Sequence, residues 1–209
     1  MNFLRSLADG YKNVTYHNQT HAADVCQTFN YFVIEGGMKE KMKLDNLEQM
    51  SCLVSACLHD FEHPGVNNVF LVNVNDSIAV RHNDASVLEN HHLAAAFQLM
   101  TADPSNNWAV KMSREEFMRV RRVIIQTVLT TDMTKHFIEL GAVNSRISDS
   151  NFNLTDSKDK ELFIKFTFHL ADISNPTKPF NLCKIWCDLL FVEFFAQGDL
   201  EKSHSFPVS

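Results

Sequence analysis

No proline- or glycine-rich linker, internal repeat or low-complexity tract divides the 209 residues, so positions 1–209 read as a single domain with room for a sizeable core. Apolar runs are broken by polar or charged residues well short of the roughly 18–20 positions that a bilayer span requires. The opening "MNFLRSLADGYKN" has neither the apolar core nor the small-residue cleavage site of a signal peptide. No transmembrane segment and a cytoplasmic location are therefore expected. The five cysteines (26, 52, 57, 183 and 187) are odd in number, and most lie on apolar faces of expected helices, which favours reduced, buried thiols over a disulfide framework. Positive charge is also short. Net charge is −6 and only "RVRR" at 119–122 clusters basic residues, which argues against a nucleic-acid groove. An acidic chain that handles an anionic substrate needs metal ions to supply positive charge locally.

Sustained alternation at period two is missing, and helical spacing stands in its place. Leu47, Met50, Val54, Cys57, Leu58 and Phe61 share one stripe; Phe117, Val120, Ile124 and Val128 share another. Two further sets are Phe163, Phe166, Thr167, Leu170 and Trp186, Leu189, Leu190, Glu193. Asp45 or Asn46 can cap one helix and Pro64-Gly65 end it; Ser113 with Glu116 forms a capping box; Asn83-Asp84 reads as a further cap. The spacing predicts an all-α fold with helices over 20–34, 46–61, 84–101, 113–129, 158–173 and 179–197, and a flexible loop over 145–160.

Histidine with carboxylate, away from clustered cysteine, favours zinc, iron or manganese, with a harder oxygen-loving ion equally open. His17 and His21 are four apart and share a helix face. One ion can take both, or one can bind metal while the other moves a proton; surface or core roles are the plainer alternative. His59-Asp60 end a run that otherwise reads as core, where an uncoordinated Asp would be a costly buried charge. The same cost applies to Asp172 at the end of "FIKFTFHLAD", with a capping role as its rival, while His169 reads as a core histidine bonded to a backbone carbonyl. In "LENHH", Glu89, Asn90, His91 and His92 either line a polar cavity or form a solvated face.

Six blocks, "YHNQTHAADV", "LHDFEHPGVNNVFLVN", "NDASVLENHHLAAAF", "TTDMTKHF", "LADISNPTKPF" and "EFFAQGDLE", follow one another in an order that closely resembles the catalytic domain of class I cyclic-nucleotide phosphodiesterases, a helical HD-type fold. The resemblance implies that His21, His59, Asp60 and Asp172 hold a first ion, Zn²⁺, and that Asp60 bridges to a second, Mg²⁺ or Mn²⁺. It makes His63, Glu89 and Thr131 the residues that hold the second ion's waters, His17 the general acid, Glu89 the carboxylate that orients it, and Asn175 a purine contact. His17, Asp60, Asp172 and Asn175 would thus meet the substrate.

The implied activity is hydrolysis of 3′,5′-cyclic nucleotides to 5′-monophosphates by a hydroxide between two ions, within cyclic-nucleotide signalling, with a slight lean to cyclic AMP. The resemblance also implies a partial domain, because the family's purine-gripping glutamine and stacking phenylalanine lie beyond the last block. Phe180, Trp186, Phe191, Phe194 and Phe195 are then expected to pack against elements outside the chain. The rival expectation is a truncated, inactive metal-binding or regulatory chain that pairs with a full-length relative through its uncovered apolar face; a homodimer is a further partner expectation.

Overall fold

The computed structural model describes residues 2–209, and among them every regular element is helical. In chain order these are α1 (Asn2–Gly10), α2 (Gln19–Ile34), α3 (Met38–Lys41), α4 (Asn46–Leu58), α5 (Asn68–Asn73), α6 (Ser77–Arg81), α7 (Val87–Ala102), α8 (Arg114–Leu129), α9 (His136–Ile147), α10 (Ser157–Asp172) and α11 (Phe180–Ser203). The all-α reading holds.

Helix α4 is the hub because both of its faces are apolar. Leu58 and the following Phe61 join Phe3, Leu7, Leu93, Val120 and Ile124 from α1, α7 and α8. On its other side Cys52 and Ala56 pack with Val25, Phe29, Ile164 and Phe168 from α2 and α10. The Phe29 and Phe168 rings, both fully buried, sit 5.5 Å apart. Each such ring is worth about 1.5–3 kcal/mol in apolar area removed from water.

Caps explain several boundaries. Asp45 accepts from the Glu48 amide while Glu48 accepts from the Asp45 amide, the reciprocal box that starts α4, and Ser113 with Glu116 does the same for α8. Helix α4 stops three residues before the expected position 61. Beyond Leu58 the chain winds tighter, through Phe61 N–H to Leu58 O and His63 N–H to Asp60 O, and Glu62 then takes a left-handed φ of 62°. This tightening lets the adjacent His59 and Asp60 face one place, which regular helical spacing does not allow.

The Asn83-Asp84 cap is corrected. Both residues have positive φ (52° and 58°) within a turn, and α7 begins after Ser86, whose hydroxyl donates to Asp132 at 2.7 Å. The loop expected over 145–160 is shorter, since α9 runs to Ile147 and α10 starts at Ser157. Helices α5 and α6 escaped the periodicity reading because they are barely more than a turn long; Asn67 and Asp76 cap them. Cysteines 26, 57 and 183 are half-buried and Cys187 is exposed, so only Cys52 meets the expectation of a buried thiol. Among the described residues no helix is long and apolar enough to cross a membrane.

Candidate metal centre

Helices α2, α4 and α10 each bring one end to the floor of a cleft of about 680 Å³. Asn18 starts α2 by accepting from the Thr20 and His21 amides, which fixes His21 in the first turn facing inward. His21 Nε2 lies 3.0 Å from Asp172 Oδ1 and 3.4 Å from Asp60 Oδ2. His59 Nε2 lies 3.2 Å from Asp60 Oδ2, 3.3 Å from Asp172 Oδ1 and 3.4 Å from His21 Nε2. Ligand-type atoms of His21, His59 and Asp60 therefore lie within 4.8 Å of one another, with Asp172 against both imidazoles.

The donor set fits a cation on three counts. His59 Nδ1 lies 2.9 Å from the Ala56 carbonyl, which can only accept, so in the neutral ring Nε2 is left with a lone pair. Asp60 Oδ2 is buried without a hydrogen-bond partner, an unsatisfied charge that a metal ion would meet. Burial raises both carboxylic pKa values, yet the neighbouring imidazoles, His59 foremost, outweigh it and hold Asp60 and Asp172 below the ordinary range. His59 is the mirror case: burial opposes its charge, but Asp60 and Asp172 raise it well above the ordinary value. The cluster demands positive charge at its centre.

Asp60 also faces a second set of donors, with His63 and His92. His92, on α7, lies 2.6 Å through Nδ1 from the Phe61 carbonyl and 3.8 Å through Nε2 from Asp60 Oδ1; burial lowers its pKa to about 4. His63 Nδ1 accepts from the Gly65 amide at 3.0 Å, and burial, followed by the nearby His17, lowers it well below the ordinary value. His92, with Nδ1 donating to the Phe61 carbonyl, keeps a lone pair on Nε2, whereas His63, whose Nδ1 accepts from Gly65, presents an Nε2–H as a donor. Gly65 itself sits at φ +79°, where a Cβ would lie 3.3 Å from Val14 Cγ1.

His17 does not join the floor. It stands on the cleft wall, stacked on His63 at 4.0 Å between centroids, and its Nδ1 pairs with Glu193 of α11. Glu193 also accepts from the Tyr16 and His17 amides at 2.8 and 3.2 Å. Burial lowers the His17 pKa, but Glu193, with Asp60 and Asp172, more than reverses this and raises it. The expectation that Glu89 orients His17 is therefore corrected: Glu193 does so, and Glu89 instead accepts from Asn68 Nδ2 at 3.1 Å. Glu89 still lines the cleft, and burial lifts its pKa to about 7.

Thr131 lines the cleft too, its hydroxyl donating to the Val128 carbonyl at 2.8 Å. Asn175 Nδ2 donates to the Tyr16 hydroxyl at 2.5 Å while its Oδ1 is left without a partner. His169 is a buried core histidine as expected, but its expected partner is corrected. It bonds His136 through Nε2 at 2.8 Å, not a carbonyl, and stays off the floor. Glu62 takes up His91 at 2.9 Å, so of the four polar residues of "LENHH" only Glu89 and His92 are buried at the cleft.

Trp186 was expected to be a packing residue, yet it lines the cleft with its ring edge-on to Tyr16 at 5.6 Å. Phe180, Phe191, Phe194 and Phe195 are exposed; Phe194 lines the cleft as well, and the Phe191 and Phe195 rings stack at 5.8 Å.

An all-helical scaffold that gathers two His and two Asp at the foot of a polar-and-apolar cleft, with a carboxylate-bound His on its wall, defines a candidate metal-dependent hydrolase centre. Residues 16–209 match the family described as 3′5′-cyclic nucleotide phosphodiesterase, and the chain belongs to that family. It is 38% identical over its full length to the probable 3′,5′-cyclic phosphodiesterase pde-1 of Caenorhabditis elegans. It is 37% identical over its full length to the dual specificity calcium/calmodulin-dependent 3′,5′-cyclic nucleotide phosphodiesterase 1B of Homo sapiens. Over 94% of its length it is 37% identical to the high affinity cAMP-specific and IBMX-insensitive 3′,5′-cyclic phosphodiesterase 8 of Drosophila melanogaster. The chain spans 30%, 38% and 22% of these relatives, respectively.

Proposed function

We propose that this cleft hydrolyses 3′,5′-cyclic nucleotides to nucleoside 5′-monophosphates. The supporting observation is the convergence of His21, His59, Asp60 and Asp172 beside the His17–Glu193 pair. His21, His59, Asp60 and Asp172 would hold one divalent ion, zinc by ligand type, and Asp60, with waters ordered by His63, Glu89 and Thr131, a second, magnesium or manganese. When bound, such ions neutralise phosphate oxygens and make water acidic enough to supply a nucleophile near pH 7.

The chain's own groups complete the chemistry. His17, held protonated by Glu193, donates to the departing 3′ oxygen. His63, Glu89 and Thr131 order water on the cleft wall. Trp186 and the apolar lining around it give the purine a surface to stack on. Asn175 lines the cleft with Oδ1 unmet and can accept from a donor on a purine; the slight lean to cyclic AMP rests on the family resemblance at this position.

The test is incubation of the protein with cyclic AMP or cyclic GMP and Mn²⁺ or Mg²⁺, with product identified by chromatography. The 5′-monophosphate is expected, formed faster from cyclic AMP. A His17→Gln variant should lose about 10²–10⁴-fold in turnover of cyclic nucleotides but much less on an activated nitrophenyl phosphodiester, whose leaving group needs no acid. Formation of the 3′-monophosphate, or equal losses on both substrates, would reject the assignment.

A further inference from the structure

Cys26 and Cys57 face each other across the α2–α4 packing, with their sulfurs 4.0 Å apart. Both are half-buried, which leaves them reachable by a small oxidant, whereas Cys52, also on α4, is fully buried. A disulfide holds its sulfurs at about 2.05 Å. The remaining approach of roughly 2 Å is small enough for side-chain rotation and a slight shift of one helix to supply. No chemistry of the cleft uses either residue.

We infer that Cys26 and Cys57 are a redox modification site, joined by a peroxide-class oxidant into an intramolecular disulfide that ties α2 to α4. One sulfur attacks the peroxide O–O bond and becomes a sulfenic acid, releasing one water. The second thiol attacks that sulfur, forms the S–S bond and expels the hydroxyl group as a second water. Two electrons and two protons pass from the thiols to the peroxide, so the step balances. Cys26 is the first nucleophile, because its sulfur accepts the Cys57 S–H, a contact that favours the Cys26 thiolate against burial. The contact of the two sulfurs exists whatever the ionisation of either.

Position gives the bond its consequence. Cys26 lies on the helix that opens with His21, and Cys57 lies directly before Leu58 and His59. The crosslink therefore fixes the spacing of the two elements that bring His21 Nε2 and His59 Nε2 within 3.4 Å of each other.

The experiment treats the full metal-loaded chain with a slight excess of hydrogen peroxide, blocks remaining thiols and maps peptides by mass spectrometry. A Cys26–Cys57 linked peptide, lighter by two hydrogens and released by dithiothreitol, is expected, with a melting temperature raised by about 5–10 °C. In Cys57→Ser, Cys26 should stop at the sulfenic acid and be trapped by a dimedone-type reagent; Cys26→Ser should give no linked peptide. Wild-type protein that keeps both thiols, oxidises each of them separately to the sulfinic acid, or links only other cysteines overturns the inference.

Discussion

Replacing Glu193 with Gln removes one charge and little else. The amide oxygen can still accept from the Tyr16 and His17 backbone, so the local fold is kept while the charged partner of His17 Nδ1 is lost. Both side chains are sheltered, 6% and 23% exposed, so solvent screens the pair little. A hydrogen bond to a charged group contributes about 1.5–3 kcal/mol, which is roughly one to two units in the pKa of His17. Asp60 and Asp172 also support the His17 charge; a cation held by these carboxylates would offset that support and leave Glu193 as the main source.

Above the pH where the variant's His17 titrates, the cyclic-nucleotide turnover of Glu193→Gln should fall about 10- to 100-fold and recover as pH is lowered. Stability should move with it. The His17 pKa is raised above its ordinary 6.5, so its contribution is full below that value and lost as pH rises through the folded pKa. Glu193 is depressed below 4.5, mainly by His17 acting against burial, so its contribution is present above 4.5 and lost as pH falls through the folded value. The destabilisation on substitution should accordingly peak between those two pH values. Turnover profiles and urea midpoints across pH measure both effects; a variant whose acid-side recovery is absent refutes the pairing.

Asp60→Asn should cost binding of both divalent ions, whereas Asp172→Asn should weaken one, because only Asp60 faces both donor sets; equilibrium dialysis with metal counting decides this. Gly65→Ala should destabilise by about 1–2 kcal/mol, since the residue has φ +79° and its Cβ would meet Val14. Thermal melts should show a drop of roughly 2–8 °C. Phe168→Ala removes a fully buried ring from against Phe29 and His59 and should cost about 3–5 kcal/mol in urea unfolding of the metal-loaded chain.

What could be read from the chain follows from the range of the interaction. Helices α2, α4, α7, α8 and α10 and the Ser113–Glu116 capping box are local patterns, and they appear within a few residues of the expected places, whereas α11 runs six residues past its expected end and α9 was not expected. His59, Asp60 and Asp172 stood out because a polar residue at the end of a core run needs a reason to be buried. The pairing of Glu193 with His17 joins positions 176 apart, and no local spacing carries it. Glu193 did share an inward stripe with Trp186 and Leu190, and a carboxylate on such a stripe was the available signal. His92 was visible inside "LENHH", but choosing it over its neighbours required knowing which face of α7 turns toward Phe61 and Asp60. Short helices α5 and α6 offered too few residues for a period to show.

The most direct test of the central claim is turnover of cyclic AMP by the protein stripped with a chelator and then restored with Zn²⁺ and Mg²⁺. The account predicts that stripping abolishes release of adenosine 5′-monophosphate, that the two ions together restore it, and that Asp60→Asn is not restored. Turnover that survives complete metal removal, or full restoration of Asp60→Asn, would contradict it.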